Sequence, residues 1–127
     1  GIVIGYEIGR LLKKETIFSE RIEGKFQLRR GFSIKKNSRV IIIEDVITTG
    51  KSSLECAKLI KQSKAKLLGF ACLIDRSNKK NLKIKNKKII SQIKLDVPIF
   101  KKSNLPKFLK KKPITKPGSR FLKWALD

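Results

Sequence analysis

Two carboxylates stand side by side at Glu44 and Asp45, directly after the β-branched run Val40–Ile43. They are followed at once by Val46, Ile47, Thr48, Thr49, Gly50, Lys51, Ser52 and Ser53. Adjacent carboxylates can accept hydrogen bonds from two vicinal hydroxyls, as on a ribose ring. Thr48, Thr49, Ser52 and Ser53 offer hydroxyl donors, and Gly50 lets the backbone turn tightly and approach an anion. If a helix opens next, its unpaired N–H groups hold a phosphate with help from the helix dipole. The segment therefore has the makings of a ribose 5-phosphate cradle. Gly50-Lys51-Ser52 also matches the end of a nucleoside-triphosphate loop, but that motif requires a glycine five positions before Gly50, where Asp45 stands. That alternative is excluded. Acids and a polar turn can also simply end a strand and cap a helix. The ordered succession of apolar strand, acidic pair, Thr-Thr-Gly turn and helix favours the cradle.

Elements on either side must position these groups. Arg39–Glu44 reads as a strand buried on both faces, as in a parallel sheet. Ser52–Ser63 reads as a helix with an apolar stripe of Leu54, Ala57, Leu59 and Ile60, and Lys66–Asp75 as a second buried strand. Strand, helix and strand in this order form a βαβ unit, whose ligands bind beyond the carboxyl ends of the strands. Upstream, Ile4, Ile8, Leu11 and Leu12 recur at helical spacing, predicting an amphipathic helix that ends near Lys14. Thr16–Ser19 is short and β-prone, and the polar, charged stretch Glu20–Gly31 reads as a long mobile hairpin loop. After Arg76 the texture changes. Ser77–Lys88 is polar, Ile89–Leu95 is weakly periodic, and Val97–Phe100 is a candidate edge strand. Pro98, Pro106, Pro113 and Pro117 all fall in the last third, so Lys101–Gly118 is expected to be irregular and on the surface. The expected division is a core over residues 1–100 and a basic tail over 101–127 packed on it.

The length of 127 residues fits one domain, and a hydrophobic share of 40% argues for a folded chain. The formal charge of +22 invites a nucleic-acid reading. Its make-up argues against one: 25 Lys against 7 Arg, with few aromatics for stacking on bases. Residues 1–75 hold 15 basic and 8 acidic side chains, and residues 76–127 hold 17 and 2. Lys, Ile and Asn are frequent together, which points to codon composition as the main source, with some benefit for anionic substrates. No apolar run reaches the ~18–20 residues that span a bilayer. The opening GIVIGYEIGRLLKK lacks a basic leader and carries Glu7 and Arg10, so it reads as an internal helix of a longer chain rather than a signal peptide. Cys56 and Cys72 match no zinc spacing and are expected to be small buried thiols in a reducing cytoplasm.

The segment VIIIEDVITTGKSS, Val40–Ser53, resembles the phosphoribosyl-diphosphate motif of the type I phosphoribosyltransferases. The resemblance implies an α/β fold with an open parallel sheet flanked by helices and a mobile catalytic hairpin loop. It also implies ribose hydroxyls on Glu44 and Asp45, a 5-phosphate wrapped by Thr48–Ser52, and Mg²⁺ held through diphosphate and ribose oxygens rather than by a protein ligand set. Phosphoribosyl-diphosphate contacts then run over Glu44, Asp45, Val46, Ile47, Thr48, Thr49, Gly50, Lys51 and Ser52. Asp45 is expected to face the positive charge that develops at the anomeric carbon.

Within that group, Ile17–Phe32 is similar to the catalytic loop of orotate phosphoribosyltransferases. Arg21 and Lys25 are its catalytic candidates, implied to close over diphosphate in the partner subunit of a homodimer. The loop histidine of many members is absent, and Arg29 and Arg30 are the available replacements. The strand end Leu73-Ile74-Asp75-Arg76 resembles the same family, with Arg76 on the orotate carboxylate and Thr48 on the same base. A guanidinium fork suits a carboxylate, which purines lack. Pro113–Arg120, PITKPGSR, resembles a C-terminal signature of one bacterial branch, without the cysteine pair that often precedes it. The family also has a hood and a diphosphate loop upstream of what is here Gly1. The expectation is transfer of ribose 5-phosphate to orotate in the cytoplasm. The rivals are a purine-type phosphoribosyltransferase and a non-catalytic regulator of the same fold that binds nucleic acid.

Overall fold

The computed structural model describes residues 1–78, 80–98, 100 and 102–113. The chain divides into two units, 1–97 and 98–127. The first begins with α1 (Ile2–Leu12) and a two-stranded antiparallel hairpin, β1 (Ser19–Ile22) and β2 (Lys25–Leu28). It continues through β3 (Arg39–Ile47), α2 (Lys51–Gln62), β4 (Lys66–Asp75) and β5 (Lys88–Lys94). The last three strands form one parallel sheet in the order β3-β4-β5.

The βαβ unit is as the periodicity predicts, and β4 and α2 match their expected bounds to within a residue. Phe70, Ile42 and Cys72 of the sheet, Ile47 at the end of β3, Ile60 of α2 and Ile84 from the β4–β5 connection make the buried core. Leu54, Ala57 and Ile89 pack around it. Phe70, only 1% exposed, is the largest fully buried side chain among the described residues; burying a side chain of this class is worth about 1.5–3 kcal/mol.

Several expectations need correction. β3 runs to Ile47, so Glu44 and Asp45 lie inside the strand. The register continues past them, with Val46 opposite Ile74 and Ile47 opposite Asp75. Nor is β3 sealed on both faces, since Ile41 is 51% exposed. α2 covers one face. α1 crosses the other, with Gly5 close over Ile43. α1 itself buries Gly5 and Gly9 and leaves Leu11 and Leu12 in the open. The reason is close packing: a Cβ on Gly9 would overlap the Thr16 hydroxyl, which hydrogen-bonds the Gly5 carbonyl at 3.3 Å.

Glu20–Gly31, expected as a hairpin loop, holds a regular two-stranded hairpin closed by a tight turn. Glu23 and Gly24 both take positive φ, 47° and 80°, the combination that closes a two-residue turn in step with strand twist. Ile22 and Lys25 are paired across it. Phe18 and Phe32 close the base edge-to-face at 5.0 Å. The weakly periodic stretch after residue 88 is a true parallel edge strand, β5. Val97, Pro98 and Phe100, by contrast, carry no strand; Pro98 has no N–H to give a ladder.

In the second unit, Lys102–Asn104 form a 3₁₀ turn and Pro106 precedes the short helix α3 (Lys107–Lys110). These ordered turns interrupt the stretch expected to be irregular. Most of PITKPGSR, from residue 114 on, lies outside the described residues.

Candidate active site

The carboxyl ends of the parallel strands meet at one edge. Ile47 is opposite Asp75, and Asp75 is opposite Lys94. At that level the Arg76 N–H donates to the Ile47 carbonyl at 2.8 Å. The chain leaving β3 then turns at Gly50 (φ 71°, left-handed), which is the N-cap of α2. Glu44 to Ser53 line a pocket of about 170 Å³ in which polar surface dominates. Every residue expected to hold the ribose phosphate thus lines one concavity, together with the first turn of α2. Free N–H groups of such a turn attract an anion. Within the loop, the Thr49 hydroxyl accepts from the Lys51 N–H at 3.3 Å, shaping the turn.

The two acids differ in setting. Asp45 is exposed, and its Oδ1 accepts the Val46 N–H at 3.0 Å. Glu44 is half-buried and accepts the Ser53 hydroxyl at 3.1 Å. Burial pushes its carboxyl above the ordinary range; the Ser53 hydrogen bond opposes this, and the neighbouring Asp45 charge adds to it. Ser53 is itself buried. Its hydroxyl serves Glu44, so of the four hydroxyls expected to face the phosphate this one turns inward. A half-buried acid beside a helix start gives no separate signal in the sequence.

Arg21 and Lys25 do not line the pocket. Arg21 sits on β1, where it donates to Glu55 of α2 and to the Gly24 carbonyl, each at 2.5 Å. Its guanidinium lies 4.2 Å from the centre of the Phe26 ring. The Ser19 hydroxyl and Cys56 thiol, 3.4 Å apart, add a second link between hairpin and α2. Burial raises the Cys56 thiol, and likewise Cys72. Both cysteines are free. Lys25 is exposed at the turn, and Arg30 is paired with Glu20 at 3.0 Å. Arg76 is exposed just past β4, with its N–H bonded to the last residue of β3, and it does not line the pocket.

Residues 7–104 match the family described as Phosphoribosyl transferase domain. The chain belongs to that family. It is 44% identical over 122 residues to the orotate phosphoribosyltransferase of Parvibaculum lavamentivorans. The match takes in 96% of this chain and 62% of that protein, so the chain spans less than two thirds of the length of this curated relative. Among solved structures, adenine phosphoribosyltransferase of Thermoanaerobacter pseudethanolicus has the same fold. Its TM-score is 0.59 at 19% identity, over 75% of this chain and 64% of that one. The adenine phosphoribosyltransferase of Leishmania tarentolae gives 0.54 at 25% identity, over 76% and 58%. These place the three-stranded parallel sheet and its helices in the type I phosphoribosyltransferase fold. Among the described residues, no helix is long and apolar enough to cross a membrane.

The site also contains a part that the sequence did not single out. Ile84 is buried, and the Lys83 N–H donates to the Thr49 carbonyl at 2.9 Å. One isoleucine inside a lysine-rich stretch carries no periodic signal, so only the fold reveals where it points.

Proposed function

We propose that this chain carries the sugar-phosphate and base-recognition part of an orotate phosphoribosyltransferase. It would transfer ribose 5-phosphate from phosphoribosyl diphosphate to orotate, giving orotidine 5′-monophosphate and diphosphate. The observation that carries this is the polar concavity of Glu44–Ser53 at the β3–α2 junction, with Arg76 fastened beside it by its backbone. The relative from Parvibaculum lavamentivorans supports orotate as the base at 44% identity. The adenine-named structures are more distant, and a purine offers Arg76 no carboxylate.

In this reading the first-turn amides of α2 and the hydroxyls of Thr48 and Ser52 hold the 5-phosphate. Asp45, and the Glu44 oxygen not engaged by Ser53, accept the ribose hydroxyls. The bond from the anomeric carbon to the diphosphate oxygen breaks, and its electron pair leaves with diphosphate. The pyrimidine nitrogen forms the new bond and loses its proton. Positive charge on the ribose grows near the Asp45 carboxylate, which stabilises it. Arg76 pairs with the orotate carboxylate, and Thr48 lies against the same base. Arg21 and Lys25, with Arg29 and Arg30 in support, neutralise the leaving diphosphate from the hairpin of a partner subunit in a homodimer.

Magnesium fits as an ion carried by substrate oxygens. The pocket offers two adjacent carboxylates, Asp45 exposed and Glu44 engaged by Ser53, and Asp45 would be the side chain available to such an ion. When bound, it would offset charge on the diphosphate. The proposed setting is the cytoplasm.

The test is a radiometric transfer assay with labelled phosphoribosyl diphosphate, each base at saturation, on this chain and on the same chain extended to the length of its relatives. Orotate should be turned over and adenine and hypoxanthine should not. Turnover of a purine in place of orotate would overturn the proposal.

A further inference from the structure

The connection from β4 to β5 is fastened to the phosphate loop at three points. Arg76 donates its N–H to the Ile47 carbonyl at 2.8 Å, and Lys83 donates its N–H to the Thr49 carbonyl at 2.9 Å. Between these two bonds the connection is folded on itself. Leu82 N–H bonds the Asn78 carbonyl at 3.0 Å, and the Asn78 side chain caps Lys80 and Asn81. The third point is apolar. Ile84, 6% exposed, lies directly under Gly50: a Cβ there would meet its Cδ1 and Cγ1 at 2.7 Å. Ile84 belongs to the same buried cluster as Ile47, so it fills the space beneath the turn that leads from strand to helix.

From this arrangement we infer that Ile84 is a positioning residue for the 5-phosphate site. It holds the Thr48–Ser52 backbone in its anion-binding shape from beneath, while the Lys83 amide clamps the same turn at Thr49. Ile84 touches no substrate. Its effect follows from the population of competent loop, because apparent affinity scales with the fraction of molecules already in the binding shape. The connection that begins at Arg76 thereby ties the base-recognition edge and the phosphate loop into one rigid piece. Ile84's role depends on the loop holding a sugar phosphate, as proposed above, and the experiment separates the two.

The probe is ribose 5-phosphate, titrated into the 127-residue chain and followed by NMR, with amide hydrogen exchange recorded on the same samples. Three variants are compared: Ile84→Val, which removes the methyl nearest Gly50 and is the conservative change; Ile84→Ala; and Ile60→Val, an equal loss of a core methyl on α2. Affinity should fall about threefold in Ile84→Val and about tenfold in Ile84→Ala, with faster exchange at Thr48–Ser53. Ile60→Val should leave both unchanged at temperatures where it remains folded. If Ile84→Ala does not fold, Ile84→Val decides. Wild-type affinity and an unchanged exchange pattern in the Ile84 variants would overturn the positioning role. Failure of the wild-type chain to bind ribose 5-phosphate, together with a local rise in exchange in Ile84→Val, would overturn the function proposed for the loop and with it the 5-phosphate role, leaving only the support that Ile84 gives the Thr48–Ser52 backbone.

Discussion

Gly50→Ala should be among the most damaging single changes in the chain, for two separable reasons. The backbone there has φ 71°, and a non-glycine residue in the left-handed region costs about 1–2 kcal/mol. The new methyl would also stand 2.7 Å from two carbons of Ile84, and overpacking of this kind costs about 1–3 kcal/mol. Together they predict a loss of about 2–5 kcal/mol, a large part of the ~5–15 kcal/mol that holds a domain of this size. Urea unfolding followed by circular dichroism measures it, and a double-mutant cycle with Ile84→Ala divides it. Ile84→Ala alone should cost about 2–5 kcal/mol. In the double variant the methyl on residue 50 fills part of the cavity, so the combined loss should fall short of the sum by about 1–3 kcal/mol. Gly50→Asn serves as a control, because asparagine tolerates positive φ better than alanine yet still carries a Cβ. It should recover part of the backbone cost and none of the steric cost. Additivity within about 0.5 kcal/mol would refute the reasoning, since it would mean that Ile84 is not what the methyl meets.

Asp45→Asn should weaken phosphoribosyl diphosphate binding and slow transfer, while leaving the melting temperature close to wild type because Asp45 is exposed; equal kinetics in the two proteins would remove Asp45 from the ribose site. Arg76→Ala should chiefly raise the KM for orotate, since Arg76 is held by its backbone and its side chain is free to meet the base; unchanged orotate kinetics would refute the specificity argument. Glu44→Gln tests the half-buried carboxylate through pH. Its folded-state pKa lies above the ordinary value, so the native state holds the proton more tightly than the unfolded chain. Stability from this group is therefore greatest in acid and declines as pH rises through the window above about 4.3. The melting temperature of Glu44→Gln relative to wild type should climb from pH 4 to pH 7, and a difference independent of pH would contradict this.

How far the sequence foretells this structure depends on the range over which each signal acts. β4 and α2 are legible because apolar spacing within ten or twelve residues decides them, and the polar turn at Thr48–Gly50 is legible because its residue types have few other uses. β3 was expected to end with the acids. It runs on to Ile47 because pairing with Ile74 and Asp75 extends it, and pairing partners 28 residues away leave no local mark. The Glu20–Gly31 stretch is legible as a hairpin, but its exact turn is not, because Glu23-Gly24 is not among the Asn-Gly and Asp-Gly pairs that mark a two-residue turn. β5 was hardest: Lys88–Lys94 mixes lysine with isoleucine, and its strand character comes from lying beside β4.

The same distinction separates the parts of the site. Side chains that would touch a ligand are chosen for their chemistry, so Glu44, Asp45, Thr48 and Arg76 stand out from sequence by type and order. Groups that hold them in place work by shape and contact. Ser53 is one more serine until its hydroxyl is seen on Glu44, and Ile84 is one more isoleucine until it is found beneath Gly50. Gly50 joins the two kinds. Its type announces a tight turn, and its lack of a side chain leaves room for Ile84 beneath a loop that lines the pocket. A chemical motif of this sort therefore has a hidden half, and in this chain that half lies in the lysine-rich connection that composition alone would assign to solvent.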